Sequence, residues 1–389
     1  MNAQEIKQLD QAHVAGTYGR YDAVLVSGSG ARVTDAEGKV YIDFTAGIGV
    51  NSLGFCEPGW VGAVTEQAAR LQHVSNLFYT EPGVHAAKKL LALTGMQKVF
   101  FANSGAEANE GAIKAARKYS YDKYGEGRSR IITLTDSFHG RTIATVTATG
   151  QDKFHRYFGP FVQDFVYVAA GSTEDLLAKI DEKTCAILLE FVQGEGGVNN
   201  LAPAFVEAVA QQCAQKDILL VADEVQTGVG RTGRFMAYEH YGVKPDIATV
   251  AKGLGGGVPI GGVLFGEKTA AVLGAGDHGS TFGGNPLVCA AADYVLSQMT
   301  PPFLADVEKK GAYFREKLTA MPGVADVSGL GLMIGIRLKE KTNKEVVDAC
   351  LAEGLLVLTA GKKVRLLPPL NITQEEIDAG LAILSAVIG

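Results

Sequence analysis

The sequence predicts an α/β protein: a large domain with a mostly parallel sheet flanked by helices, and a smaller α+β domain beside it. Three observations carry this prediction. Short uninterrupted apolar runs recur at 98–102, 131–134, 185–189, 218–222 and 247–251. A strand that is apolar throughout, without alternation, is one buried on both faces. Helical stretches at about 106–121, 172–181 and 203–216 separate several of these runs, and strand–helix alternation is the mark of a parallel sheet with crossover helices. Beyond about residue 285 long helices are followed by short strands, which reads as an α+β unit.

Taken in order, residues 31–44 (ARVTDAEGKVYIDF) alternate around an Ala36-Glu37-Gly38-Lys39 turn and read as a hairpin. Residues 60–72 and 82–94 read as helices. Lys98-Val99-Phe100-Phe101-Ala102 is a buried strand feeding the helix at 106–121. The later part reads as helices over 286–299 and 303–320, a Gly-rich strand pair around 323–338, and a helix over 343–353. Short strands at 355–359 and 363–367 and a last helix from about 373 complete it. The large domain is placed at 46–284, and the smaller one combines 1–45 with 285–389.

Composition excludes several classes. Of 389 residues, 47% are hydrophobic and 20% charged, ordinary values for a chain that folds around a large core. The net charge of −6 lacks the basic footprint of a nucleic-acid binder. No uncharged apolar run reaches the roughly 18 residues of a membrane span, and the polar start from Met1 to Lys7 lacks a signal peptide's apolar core. Five scattered cysteines (Cys56, Cys185, Cys213, Cys289, Cys350) form no C-x-x-C pair. A cytoplasmic protein without a disulfide framework or zinc ribbon is therefore expected. Neither H-x-x-x-H nor H-E-x-x-H occurs, so no metal site is expected. Glycine is in excess at 48 residues, against about 7% in ordinary chains, and it is clustered where backbone must turn sharply or approach something closely.

Four strand ends carry unusual residues, and in open parallel sheets ligands sit outside the carboxyl ends of the strands. The first is Asn103-Ser104-Gly105-Ala106-Glu107-Ala108-Asn109, where a helix start with bare N–H groups suits a phosphate; a plain Ser N-cap with a tight glycine turn is the plainer account. The second is Asp223, closing an apolar strand, where a carboxylate is desolvated unless a cation such as a protonated pyridine partners it; an Asp capping the next turn is the plainer account. The third is Lys252 before Gly253, Gly255, Gly256 and Gly257, either a desolvated Schiff-base nucleophile with room for a planar group or a solvated lysine opening a loop. The fourth is Phe138-His139-Gly140-Arg141-Thr142: an aromatic to stack on a ring and an arginine to hold a carboxylate, or a core Phe and a surface Arg. No G-x-G-x-x-G or Walker motif is present, which counts against a nicotinamide dehydrogenase or a P-loop enzyme. Phosphate cradle, ring-nitrogen carboxylate, Schiff-base lysine and carboxylate clamp together match one cofactor, pyridoxal phosphate.

On these residues the sequence resembles the class III (ω-amino-acid) pyridoxal-phosphate aminotransferases, nearest to their N-acetylornithine branch and then to their ornithine branch. The resemblance runs from Gly30-Ala31-Arg32-Val33 to Arg365-Leu366-Leu367-Pro368-Pro369-Leu370. It is carried by SGAEANE (104–110), FHGRT (138–142), VQGEGG (192–197), DEVQTGVGRTG (223–233), AKGLGGGVPIG (251–261) and STFGGNP (280–286). One departure is Gly54-Phe55-Cys56-Glu57-Pro58, where many relatives carry G-H-x-H-P; a structural role is expected there.

The resemblance implies a pyridoxal-phosphate aminotransferase-like fold and a role for each matching position. Ser104, Gly105 and Ala106 would bind the phosphate, Phe138 would stack on the ring, and Asp223 would pair with the ring nitrogen. Gln226 would approach the phenolic oxygen, and Lys252 would carry the cofactor as a Schiff base. Thr281 would reach the phosphate of the other subunit's cofactor, making a homodimer the minimal active unit. Arg141 would take the substrate carboxylate far from the reacting amine, and Arg365 the α-carboxylate of glutamate, with Glu195 pairing Arg365 while the ω-amine is bound. Ser280 is expected near the substrate, and Tyr18 in the pocket. The implied activity is transfer of the terminal amine of N-acetylornithine to 2-oxoglutarate, in arginine biosynthesis. Ornithine, succinylornithine or 4-aminobutyrate are alternative amines, and racemases and mutases are related. From a different class, a non-catalytic amino-acid-sensing protein would retain the fold but lose the lysine or the aspartate; Lys252 and Asp223 are both present.

Overall fold

Buried apolar runs become the central strands of a seven-stranded sheet in the computed structural model, which describes residues 1–389. From one edge to the other the strands are Lys98–Ala102, Gly261–Phe265, Ile247–Val250, Leu219–Asp223, Thr184–Leu189, Arg130–Leu134 and Phe165–Val168. Every residue of Thr184–Leu189, Leu219–Asp223, Ile247–Val250 and Gly261–Phe265 is buried, the condition under which a strand loses its polar alternation. Gly261–Phe265 is antiparallel to both neighbours; the other pairings are parallel. Every strand but that one therefore runs the same way, and the four unusual strand ends meet along a single edge.

The antiparallel strand is absent from the sequence prediction because Gly261 and Gly262 erase its β signal. The glycine has a packing cause. A Cβ on Gly261 would stand 2.4 Å from the backbone oxygen of Ser104, so only a bare backbone lets this strand press against the Ser104 turn. The strand Phe165–Val168, with only Val168 buried, escapes the prediction for the opposite reason, being a half-exposed edge.

Two smaller sheets flank the first. Leu25–Ser29, Arg32–Asp35 and Val40–Asp43 form an antiparallel meander, which includes the expected hairpin, and Leu355–Leu356 adds parallel to its last strand. Val324–Leu330, Met333–Leu338, Lys363–Leu366 and Leu358–Ala360 form the other, antiparallel throughout. The single strand expected at 355–359 is thus two strands in two sheets. Pattern shows which residues are extended, not where the chain leaves one sheet for another. One apolar cluster is continuous from Ile187 and Leu220 through Phe44 and Phe314 to Ile336 and Leu384, joining these three sheets; a fourth, two-stranded sheet pairs Val192–Gln193 with Asn199–Asn200.

The helices begin where capping chemistry sets them. Ser104 Oγ accepts the N–H of Glu107 at the start of Gly105–Tyr124, and Asn285 caps Pro286–Gln298 in the same way. Glu57, at the position of the family's second histidine, caps Pro58–Arg70 through the N–H of Trp60 at 2.6 Å and accepts Tyr294 Oη at 3.2 Å. No helix is long and apolar enough to cross a membrane.

Candidate active site

The strand ends enclose a cavity of about 470 Å³ lined by Ser104, Gly105, Ala106, Phe138, Arg141, Asp223, Gln226 and Lys252 among others. These are eight of the residues singled out in the sequence. The helix start contributes donors. Glu107 N–H is taken by Ser104 Oγ and Ala108 N–H by Ser104 O, which leaves the first-turn N–H groups of Gly105 and Ala106 for an anion. A Cβ on Gly105 would lie 2.5 Å from Val225 Cγ1, so glycine allows the helix end to meet the loop after Asp223. Ser104 is thus an N-cap and a cavity residue at once.

Asp223 is buried and its carboxylate is fully held. Oδ2 accepts Asn109 Nδ2 at 2.7 Å and faces His139 Nδ1 at 2.7 Å, and Oδ1 accepts the Val225 N–H at 3.0 Å. The last contact is the turn cap expected as the plainer account, and it uses one oxygen only. A carboxylate opposite Nδ1 fixes the proton there. His139 Nε2 is then a buried atom with no partner in the protein. Asn109 Oδ1 in turn accepts Thr249 Oγ1 at 2.7 Å. Asn109 and His139 lie inside motifs singled out in the sequence, but the sequence assigns neither a role. Asn109 did carry a signal, being polar one helical turn after Gly105 on the buried face.

Lys252 has a left-handed φ of 43°, a conformation that costs a non-glycine residue about 1–3 kcal/mol and concentrates at functional sites. It is part-buried and lines the cavity. Burial pulls its amine below the ordinary lysine range; Glu195 and Asp223 oppose that shift and Arg365 adds to it.

The two arginines are in opposite states. Arg141 is exposed, stands over the rings of Phe154 (4.1 Å) and Phe138 (5.4 Å), and has no carboxylate within salt-bridge reach. Arg365 is buried; its Nη1 donates to Glu195 Oε1 at 2.6 Å and to Gln226 Oε1 at 3.1 Å. Burial works to raise the Glu195 pKa, but the charge and hydrogen bond of Arg365 outweigh it and hold the carboxyl below its usual range. Gln226, expected at a ring oxygen, is engaged by Arg365 here.

Not every residue singled out converges. Ser280 adjoins the site through Asn103, whose Nδ2 donates to its Oγ at 3.1 Å. Thr281 is exposed and outside this chain's cavity. Tyr18 is 75% exposed, with only Arg20 over its ring, and does not line the cavity. Glu190, overlooked in the sequence, does line it.

The residues present suit pyridoxal phosphate. Bare helix N–H groups at a turn that only glycine permits make a phosphate cradle, a buried carboxylate is available to a ring cation, and an amine of lowered pKa can form a Schiff base. Fold and site thus define an enzyme of amine chemistry on a parallel sheet.

The chain belongs to the class III aminotransferases, whose family model matches residues 14–388. It is 52% identical to an acetylornithine aminotransferase of Haemophilus ducreyi over 390 aligned residues, covering 100% of this chain and 99% of that one. Among solved structures, an N-acetylornithine aminotransferase from Stenotrophomonas maltophilia superposes with a TM-score of 0.84 at 36% identity, covering 98% of each chain. An ornithine aminotransferase from Toxoplasma gondii, with pyridoxal phosphate at partial occupancy in its active site, superposes with a TM-score of 0.93 at 33% identity, covering 99% of this chain and 94% of that one.

Proposed function

We propose that the chain is a pyridoxal-phosphate-dependent transaminase that moves the terminal amino group of N-acetylornithine to 2-oxoglutarate, giving N-acetylglutamate semialdehyde and glutamate, a step of arginine biosynthesis. One observation carries the reading beyond the family: Arg141 lines the cavity unpaired, while Arg365, joined to the lining residue Gln226, is covered by Glu195. An enzyme that alternates between a donor with one distant carboxylate and a dicarboxylate needs one permanent and one switchable carboxylate site. The similarity to the acetylornithine aminotransferase of Haemophilus ducreyi supports the choice of donor.

Each residue then has a task. Gly105 and Ala106 hold the phosphate by backbone N–H, Ser104 fixes that turn, and Phe138 packs on the ring face. Asp223, oriented by Asn109, His139 and the Val225 N–H, keeps a positive charge on the ring nitrogen. Bound pyridoxal phosphate supplies an electron sink for the carbon bearing the amine. Lys252 would hold the cofactor covalently until the substrate's amine takes its place; the freed amine, whose pKa burial lowers, would then carry the proton from that carbon. Arg141 grips the carboxylate far from the amine. Glu195 neutralises Arg365 in the first half-reaction and releases it to a second carboxylate in the other. Gln226 steadies Arg365, and Ser280 stands near the substrate.

A homodimer fits this reading. Leu77 (86%), Phe78 (70%) and Tyr79 (102%) are exposed, and the neighbouring Asn76 donates to Ser280 O and Gly283 O at 3.0 Å. An apolar patch tied to the Thr281 loop suits a surface covered by a second copy, to whose site Thr281 would reach. We also propose the division into 46–284 and 1–45 with 285–389, supported by the pairing of Val40–Asp43 with Leu355–Leu356.

The test is the visible absorbance of the purified holoenzyme after single additions of N-acetylornithine, ornithine, 4-aminobutyrate and glutamate without keto acid. Fastest loss of the cofactor band with N-acetylornithine supports the proposal; faster loss with ornithine or 4-aminobutyrate overturns the donor but not the chemistry. Lys252→Ala is expected to abolish turnover while still binding cofactor non-covalently. An active Lys252→Ala enzyme would remove the assignment.

A further inference from the structure

Glu190 follows the buried strand Thr184–Leu189 directly, is 5% exposed and lines the cavity. Its two oxygens serve two different loops. Oε1 accepts the N–H of Phe138 at 2.9 Å, and Oε2 accepts the N–H of Gly194 at 3.1 Å. Burial first, and then the Asp223 carboxylate, push its pKa up, against His139 and the two N–H groups. A carboxyl in that position is costly to keep, and its return is the pair of backbone donors it satisfies.

Gly194 is the pivot of the loop that carries Glu195. Its carbonyl accepts the N–H groups of Gly197 (3.4 Å) and Val198 (3.3 Å). A Cβ on it would stand 2.2 Å from Gln226 Oε1, the atom that also accepts Arg365 Nη1 at 3.1 Å. The pivot is thus held by Glu190 on one side and packed under Gln226 on the other, while the same Glu190 carboxylate ties down the backbone of Phe138.

We propose that Glu190 is a positioning residue for substrate choice: by anchoring Gly194 and Phe138 together, it makes Glu195 cover and uncover Arg365 by side-chain rotation on a fixed loop. The proposal rests on reading Glu195 as a removable cover for Arg365. A glutamine has one acceptor oxygen, and its NH₂ would face an N–H donor, so Glu190→Gln satisfies one loop and frees the other. Glu190→Asp would keep the charge but leave the carboxylate one methylene too short to span both loops.

The experiment compares parent, Glu190→Gln, Glu195→Ala and the double variant. Amide hydrogen exchange on the apoenzyme is expected to rise about tenfold or more at Phe138 or at Gly194 to Val198 in Glu190→Gln, with the strands Val324–Leu330 and Met333–Leu338 unchanged. In single-turnover half-reactions, the ratio of kcat/KM for glutamate over N-acetylornithine is expected to move about tenfold toward glutamate, the equivalent of one hydrogen bond to a charged group. That shift is expected to vanish in the Glu195→Ala background. Unchanged exchange at both loops, an unchanged ratio, or a shift that persists without Glu195 overturns the proposal. If Glu190→Gln does not fold, Glu190→Asp carries the same comparison. A parent enzyme that does not use N-acetylornithine overturns the donor instead, and a parent whose ratio ignores Glu195→Ala overturns the cover.

Discussion

Replacing Glu195 by alanine isolates the energy of the covered arginine. Arg365 has a side chain 3% exposed, one charged partner at 2.6 Å and one neutral acceptor at 3.1 Å. Removing one partner of a buried pair costs about 3–5 kcal/mol. Glu195, however, is 30% exposed, so water enters the vacated space, and the value falls toward the roughly 1.5–3 kcal/mol of a charge-assisted hydrogen bond. That energy has two consequences of opposite sign. The variant loses it from stability, seen as a melting temperature lower by several degrees. Glutamate gains it, because its α-carboxylate no longer has to displace Glu195, which corresponds to roughly 10- to 150-fold in kcat/KM for that half-reaction. The measurement is stopped-flow loss of the visible cofactor band, parent against variant, with glutamate and with N-acetylornithine. A glutamate to N-acetylornithine ratio within about twofold of the parent would refute the reasoning, whatever happened to stability.

Two further changes probe the scaffold. Gly261→Ala would place a Cβ 2.4 Å from the Ser104 backbone oxygen, which no rotamer relieves; overpacking of this kind costs about 1–3 kcal/mol. Titrating the apoenzyme with pyridoxal phosphate is expected to show affinity at least about tenfold weaker, and unchanged affinity would detach this strand from the phosphate cradle. Glu224 is fully buried, and burial raises its pKa to about 7 against hydrogen bonds from Thr227 and the Ala237 and Tyr238 N–H groups. A folded-state pKa above the unfolded value gives stability that is complete below about 4.3 and is lost as pH rises through about 7. Glu224→Gln removes that loss, on the order of 3 kcal/mol at most, so the melting temperature of the variant minus that of the parent is expected to climb between pH 5 and pH 8. A flat or falling difference would show that the three hydrogen bonds, not burial, set the carboxyl's charge.

What the sequence made legible follows one physical rule. An ionisable residue ending an uninterrupted apolar run is either paired or reactive, and Asp223 and Lys252 stand out that way. Glu190 ends the run Cys185-Ala186-Ile187-Leu188-Leu189 in the same fashion, but it matches no cofactor role and so draws no notice until its two backbone partners are seen. Asn109 and His139 are harder. They reach Asp223 from a helix and a loop that are 114 and 84 positions away, and only the sheet order brings them together. Tyr18 is expected in the pocket from the resemblance alone; this chain's own cavity does not receive it, because the segment around it is exposed throughout. The sheet's one antiparallel strand is hidden by the two glycines that its packing requires.

The same rule separates the reactive group from its supports. Around the cavity, Asp223 is held by Asn109, His139 and the Val225 N–H, Glu190 by two backbone N–H groups, and Arg365 by Glu195 and Gln226. Asp223 and Arg365 are buried and held by directional contacts, so each keeps its position through a reaction. Lys252 differs. Its amine is shifted toward neutrality by burial, and it sits at a left-handed φ on the last residue before a glycine-rich turn. A strained amine shifted toward neutrality, beside an Asp223 carboxylate that is held in place, is an arrangement in which the nucleophile can gain and lose a proton. The cavity's specificity then rests on the one charge pair with a solvent-facing member, Glu195 and Arg365, because it is the only clamp that water can help to open.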